Sequence, residues 1–430
     1  MFFLSRYPKG FRRGALLLTG ARARREMRRG DRAGAHRLRI AEVALDPLDE
    51  TKHFKVIGTT GTGKSTAIRQ LLRTALARGD RAIIADPNGS YLLEFRDRLR
   101  GDIVLNPFEE ESAHWSPFAE IQERYDVEQL VGGLIPAGDD SSGREWRGYA
   151  RTFVAAVVRR CHESGRRDAG ELWRLLFMAP NEELRPLVAG TAAQPFLEPE
   201  NVRMFGSIRA VAASALAALE YLQQRDERPF SVRRWVQRGQ GVLFMPYRAG
   251  QVAALRSIIA AWMRLAIYET MQGREADRRL WFIVDELDAL GTIDGLKDAL
   301  ARLRKFGGRC VLGFQAISQV SSVYGHDAEA IIENCANTLI LRCSAGEKGG
   351  TAQFASRLIG EREIVRRQVS RGQDRRGLFS ADAVRRSINT SDQPVTEAAV
   401  LPSELEQLPD LTGYLKTASS PAWIRVVLAR

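Results

Sequence analysis

At 430 residues the chain exceeds one small domain and suggests two or three units of the usual ~100–200 residues. Hydrophobic residues at 44% and charged residues at 27% are ordinary for a globular protein and exclude collagen-like, mucin-like and disordered classes. The net charge of +12 is concentrated: residues 1–40 hold 12 Arg/Lys against 2 Asp/Glu, which leaves 52 against 50 for the rest.

The basic N-terminal arm, taken as residues 1–37, carries Arg22, Arg24, Arg25, Arg28, Arg29 and Arg32 close behind an apolar start, Met1-Phe2-Phe3-Leu4. Such a strip suits a juxtamembrane segment facing lipid phosphates, an arm on nucleic acid, or a solvated charge run. No stretch has the ~20 consecutive apolar residues of a spanning helix, and 15–18 is a short apolar run between arginines. A secretory signal does not fit either, because the basic region follows the apolar start. Cys161, Cys310, Cys335 and Cys343 form no CxxC pair, and the five histidines are scattered singly. Reduced, packed cysteines are the expectation.

Beyond the arm, alternation predicts strands over 38–45 and 54–57, the second ending at a glycine-rich turn. A helix is expected over 64–78, a strand over 81–85, a turn at Asp86-Pro87-Asn88-Gly89, a helical stretch over 91–99 and a strand over 102–105. Strand–helix alternation at this spacing implies parallel strands with helical crossovers. Between 116 and 228 the apolar spacing turns helical at 149–161, 171–178 and 207–222, with no convincing strand. Strands return over 242–245, 281–284, 310–314 and 338–341, with helices over 249–271, 295–306 and 327–334. After about 362 the chain is less regular, rich in Arg and Gln, and it ends on an apolar run over 423–428. The predicted architecture is an α/β nucleotide-binding domain with a mainly parallel sheet (38–115 and 229–430), interrupted by an all-α domain (116–228).

Gly58-Thr59-Thr60-Gly61-Thr62-Gly63-Lys64-Ser65 fits the phosphate-loop pattern G-x-x-x-x-G-K-[ST], and it lies between a strand and a helix as that pattern requires. Glycines let successive backbone N–H groups turn toward phosphate oxygens, and the following helix adds its positive end, with Thr66 in its first turn counted among the nucleotide-binding residues. ATP is the expected ligand. Lys64 is expected to reach the β- and γ-phosphates, and the Ser65 hydroxyl to hold Mg²⁺.

Such a site also needs an acid on a neighbouring strand. Trp281-Phe282-Ile283-Val284-Asp285 supplies it, and Glu286 is the candidate that orients the attacking water. Gln315 ends the next strand and is expected beside Asp285, at the edge where nucleotides bind in open α/β folds, as a γ-phosphate sensor. Arg304 lies on the helix between these strands, where a neighbouring subunit would present it as an arginine finger; with Arg302 it also fits a solvated helix face. Trp146-Arg147 with Tyr149, and Trp173-Arg174, pair aromatic with basic residues, a combination that suits base stacking but more often belongs to a core.

Together these motifs resemble the type IV coupling proteins of bacterial conjugation, the TraG/TraD class, over about residues 38–430. Besides the two nucleotide motifs, the resemblance rests on Asp86-Pro87-Asn88-Gly89-Ser90, on Leu105-Asn106-Pro107-Phe108 followed by Trp115-Ser116-Pro117-Phe118, and on Asp285-Glu286-Leu287-Asp288-Ala289-Leu290-Gly291. Gly313-Phe314-Gln315-Ala316-Ile317-Ser318-Gln319 and Tyr324-Gly325 complete it. It implies a RecA-like, DNA-stimulated ATPase that forms a homohexamer at the inner membrane and links the relaxase on its nicked strand to a type IV secretion channel. The family begins with two membrane-spanning helices that this sequence lacks, so it looks like the cytosolic portion, with the basic arm at the inner-leaflet boundary. An FtsK-like translocase or hexameric helicase shares the nucleotide motifs, although the helical insertion and the Asn106-Pro107 and Trp115-Ser116-Pro117 set argue against it. A docking scaffold that binds ATP without moving DNA is the alternative from another class.

Overall fold

Along Leu280–Val284 the side chains alternate between two apolar clusters: Trp281 and Ile283 join one, Leu280, Phe282 and Val284 the other. A strand buried on both faces needs a layer on each side. The computed structural model, which describes residues 10–31, 37–137, 141–222, 229–273, 278–346, 349–374 and 385–429, supplies both.

In chain order the strands are β1 (Phe11–Gly14), β2 (Leu16–Leu18), β3 (Arg39–Ile40), β4 (Val43–Ala44), β5 (Phe54–Ile57), β6 (Arg81–Pro87), β7 (Ile103–Val104) and β8 (Val242–Tyr247). They continue with β9 (Leu280–Val284), β10 (Gly308–Phe314), β11 (Asn337–Ile340), β12 (Glu361–Asp374), β13 (Arg385–Ala398), β14 (Thr412–Lys416) and β15 (Ala422–Val427). One sheet of ten strands runs β2-β15-β14-β11-β5-β10-β9-β6-β8-β7. From β11 to β7 every pairing is parallel. β14 is antiparallel to β11 and to β15, and β2 lies parallel to β15. The result is the expected α/β class.

The helix Lys64–Ala77 lays Ala67, Ile68, Leu71, Leu72 and Ala75 on one face of this sheet. On the other face the helix Val252–Gln272 is apolar almost all round, because it is wedged between the sheet and a helical layer. That layer, residues 116–222, holds the helices Asp126–Leu134, Ser141–Glu163, Ala169–Phe177, Asn181–Val188 and Val202–Leu216, and no strand among the described residues. Its core includes Phe153 packed edge-on against Phe205, centroids 5.0 Å apart. The helical run Pro199–Tyr221 is long and apolar enough to cross a membrane by length and composition, yet Phe205, Ile208, Ala212 and Leu216 within it are buried in this core.

A buried polar knot joins the two layers. Glu120, 1% exposed, accepts from Val232 N, Arg233 N, Ser231 Oγ and Trp115 Nε1. Arg233 in turn bridges Asp126 at 2.5 Å and Glu269 at 2.8 Å. The motif around Trp115-Ser116-Pro117-Phe118 thus seats the helical layer on the sheet.

Several elements differ from the sequence expectation. Residues 11–31, part of the predicted arm, are built into the domain: Leu16 and Leu18 are buried in β2, and Ala23 and Met27 are buried on the helix Gly20–Asp31. The sequence reading gave this basic segment no elements of its own, whereas a three-residue apolar run is enough to complete a sheet edge. The apolar start at residues 1–4 and Arg32 lie outside the described residues. Residues 38–45 form a hairpin of β3 and β4, since Ala41 takes a left-handed φ of 53° that breaks the single predicted strand. The irregular Arg/Gln-rich stretch is a long antiparallel ribbon, β12 with β13, against which β1 pairs at its base. The helix expected over 91–99 is shorter, Ser90–Phe95, and the one over 295–306 splits into Leu296–Arg302 and a 3₁₀ turn, Leu303–Phe306.

Candidate nucleotide-binding site

The glycine-rich turn leaves β5 after Ile57 and enters the helix at Lys64. Gly63 has a φ of 113°, a left-handed conformation that side-chain-bearing residues avoid, and a Cβ there would stand 2.8 Å from Leu411 Cδ2. The loop is pinned from outside: Thr59 N donates to Arg342 O at 2.9 Å, and Leu411 N donates to Thr62 O at 2.9 Å. Lys64 is buried, and its Nζ donates to Gly58 O at 2.8 Å and Thr59 O at 3.2 Å. Burial holds its pKa below the usual lysine value, against the opposing pull of Asp285 and Glu286. Thr66 is half-buried in the first helical turn.

The strand order explains what meets this loop. β10 lies between β5 and β9, so Gln315, just beyond β10, stands between the loop and the acidic pair just beyond β9. Thr60 Oγ1 donates to Gln315 Oε1 at 2.8 Å. Ser65 Oγ donates to Asp285 Oδ2 at 2.6 Å. Asp285 is buried, and its Oδ1 has no hydrogen-bond partner. Glu286 is half-buried; desolvation first, then the charges of Asp285 and Asp288, raise its pKa, while Lys64 and a hydrogen bond with Gln315 act the other way. A carboxylate with raised proton affinity is suited to polarising a water. Lys64, Ser65, Asp285, Glu286 and Gln315 therefore share one edge of the sheet.

Ser65 Oγ and the orphaned, buried oxygen of Asp285 are hard donors of the kind a Mg²⁺ ion takes, with phosphate oxygens and waters completing its shell. The residues present fit that ion.

Arg304 is elsewhere. It is exposed on the turn that precedes β10, at the amino edge of the sheet, near enough to His53 ahead of β5 for its charge to act on that ring. A seven-residue strand spans about 23 Å, which separates Arg304 from its own phosphate loop. The aromatic–basic pairs of the helical layer are engaged in packing: Trp146 lies edge-on to Tyr149, Tyr149 to Phe196, and Arg174 is bridged to Glu171 and Glu183. All four cysteines are buried and free.

Two tyrosines escaped the sequence reading. Tyr91 OH donates to Asp285 Oδ2 at 2.9 Å. Tyr247, at the end of β8, has a buried hydroxyl without a partner, and burial followed by the charges of Glu286, Asp285, Asp86 and Asp288 holds its pKa far above the usual value. Strand order alone would have found Tyr247, since β8 lies beside β6 at the same edge.

The family described as the type IV secretion-system coupling protein DNA-binding domain matches residues 37–429. The coupling protein TraD of Escherichia coli (strain K12) is 30% identical over 386 residues, which is 88% of this chain but 52% of TraD. Among solved structures, the bacterial conjugative coupling protein TrwBdeltaN70 in an unbound form superimposes with a TM-score of 0.85 at 31% identity, covering 98% of this chain and 95% of that one. TrwB in complex with the non-hydrolysable ATP analogue ADPNP gives 0.84 at 30% identity, with 98% and 94% covered. TrwB with ADP and Mg²⁺ gives 0.83 at 30%, with 97% and 94% covered. A phosphate loop, its acidic partner strand and a seated helical layer, in the fold of TrwB and with nearly the whole chain matched, mean that this chain belongs to the type IV secretion-system coupling proteins.

Proposed function

We propose that this chain is the DNA-dependent ATPase motor of a coupling protein, hydrolysing ATP to pump DNA through a homohexameric ring toward a type IV secretion channel. The observation that carries this reading is the Ser65–Asp285 hydrogen bond, which joins the phosphate loop to the acidic strand with Glu286 and Gln315 alongside. The complexes of TrwB with an ATP analogue and with ADP and Mg²⁺ support the same ligands here, and the DNA-binding description of the family supports the substrate.

In this reading the backbone of residues 58–63 cradles the phosphates, with Thr59, Thr60, Gly61, Thr62 and Thr66 lining the cradle, and Lys64 leaves its loop carbonyls for the β- and γ-phosphate oxygens. Ser65 and Asp285 would hold Mg²⁺, which when bound would offset negative charge on the phosphates. Glu286 orients and polarises the attacking water, and Gln315 reads the γ-phosphate from between loop and acid. Arg304 serves a neighbouring chain: its guanidinium completes the adjacent site, which makes hydrolysis depend on the ring. The ring sits at the cytoplasmic face of the bacterial inner membrane, where it receives the relaxase-bound strand and hands it to inner-membrane components of the channel.

Steady-state ATP turnover with and without DNA tests this directly. A motor shows turnover that rises on adding DNA, and DNA affinity that falls steeply with salt as counterions are released. A docking scaffold binds nucleotide with no DNA-dependent turnover, and that result would overturn the proposal.

A further inference from the structure

Asp285 receives a second hydroxyl. Its Oδ2 accepts from Ser65 Oγ at 2.6 Å and from Tyr91 OH at 2.9 Å, which leaves Oδ1 buried without a partner. Tyr91 is wholly buried on the helix Ser90–Phe95. That helix is held by an acid of the strand that leads into it: Asp86, itself buried in β6, accepts Tyr91 N at 3.0 Å on Oδ1 and Leu92 N at 2.7 Å on Oδ2. The intervening turn reverses through left-handed Asn88 (φ 60°) and Gly89 (φ 68°). The ring is fixed from two sides, with Phe95 stacked at 6.5 Å and the Arg69 guanidinium 5.2 Å from its centroid. The backbone, the ring and the hydroxyl of Tyr91 are thus each held.

We infer that Tyr91 is a positioning residue for Asp285, fixing through its hydroxyl the carboxylate rotamer that presents Oδ1 to the metal of the nucleotide. This rests on the reading of Ser65 and Asp285 as the Mg²⁺ pair. An aspartate side chain at a strand end can take several staggered rotamers; a donor fixed on one carboxylate oxygen holds it in one of them. Partners of this kind, hydrogen-bonded to a metal ligand, typically change metal affinity by 10–100-fold when removed. The Asp86-Pro87-Asn88-Gly89-Ser90 turn thereby acquires a role: it carries the phenol to Asp285.

The test uses the full chain, a fluorescent ATP analogue and Mg²⁺. Tyr91→Phe keeps the ring and removes only the hydroxyl. Binding of the analogue in EDTA should match the parent, while the Mg²⁺ concentration that gives half-maximal tightening of binding should rise about tenfold. Electron paramagnetic resonance of Mn²⁺ in the nucleotide complex should show a correspondingly weaker ion. Asp285→Asn is the reference. If it shifts the Mg²⁺ dependence and Tyr91→Phe does not, the positioning role is overturned while the metal reading stands; if neither shifts it, the metal reading itself falls. Should Tyr91→Phe fold poorly, Asp86→Asn, which weakens the hold on the Tyr91 backbone, must raise the Mg²⁺ requirement in the same direction, and an unchanged requirement there overturns the role.

Discussion

Gly313 packs against Asp285 so closely that a Cβ at this position would stand 2.3 Å from the Asp285 carbonyl oxygen and 3.1 Å from its Oδ1. The neighbouring contact, Leu287 N donating to Gly313 O at 3.0 Å, ties the two strand ends together. Gly313→Ala must therefore displace the acidic strand end, and a misplacement near 1 Å in such a site costs about 100-fold in rate. The expected result is turnover lowered by roughly that factor with the fold retained by circular dichroism.

With Lys64 in the proposed role on the transferring phosphate, Lys64→Ala should lower turnover by at least ~100-fold. Glu286→Gln keeps shape and hydrogen bonding to Gln315 while losing the polarising carboxylate. It should bind the ATP analogue with Mg²⁺ as the parent does and turn over slowly. Loss of binding in that variant would make Glu286 structural.

The polar knot beneath the helical layer makes a stability prediction. Arg233→Ala leaves Asp126 and Glu269 buried without their cation, and breaking such a pair costs about 3–5 kcal/mol. Urea unfolding should show that loss, with the helical layer released first, as limited proteolysis between 116 and 222 would report.

Stability should also fall in mild acid. His53 is buried between Leu300 O, to which Nε2–H donates, and Cys310 N, which donates to Nδ1. Burial drives its pKa down to about 4, below an unfolded value near 6.5. The unfolded chain therefore takes up the proton first. The stability that His53 contributes is complete above pH ~6.5 and declines toward pH ~4, by about 3 kcal/mol in all. His53→Gln, which retains one donor and one acceptor, should lose that part of the pH dependence in urea midpoints compared at pH 5 and pH 7.

The meeting of the candidate site residues was legible because their elements are local: a glycine-rich turn before a helix, and an apolar strand ending in Asp285-Glu286. Even Gln315 followed from strand order. What lay hidden depends on contacts far apart in sequence. Tyr91 reads as an ordinary helical aromatic until β6 is placed beside β9, and Leu16–Leu18 reads as a break in a charge run until β15 offers it an edge. The ribbon of β12 and β13 was missed because, among the residues whose side chains are described, neither strand shows a buried face that imposes period-two alternation; Val369 and Ile388 are exposed. Charge counts likewise described the arm's composition but carried no information on its folding, in which Ala23 and Met27 bury.

Sharing of the site between chains is tested most directly by mixing two inactive variants. Lys64→Ala chains keep Arg304, and Arg304→Ala chains keep the phosphate loop, so mixed rings contain some interfaces with both parts intact. Each variant alone should be nearly inactive with DNA, and the mixture should recover partial DNA-stimulated ATP turnover that rises with protein concentration. No recovery despite demonstrated co-assembly, or full turnover by verified monomers, would contradict a motor whose catalytic centre is completed by its neighbour.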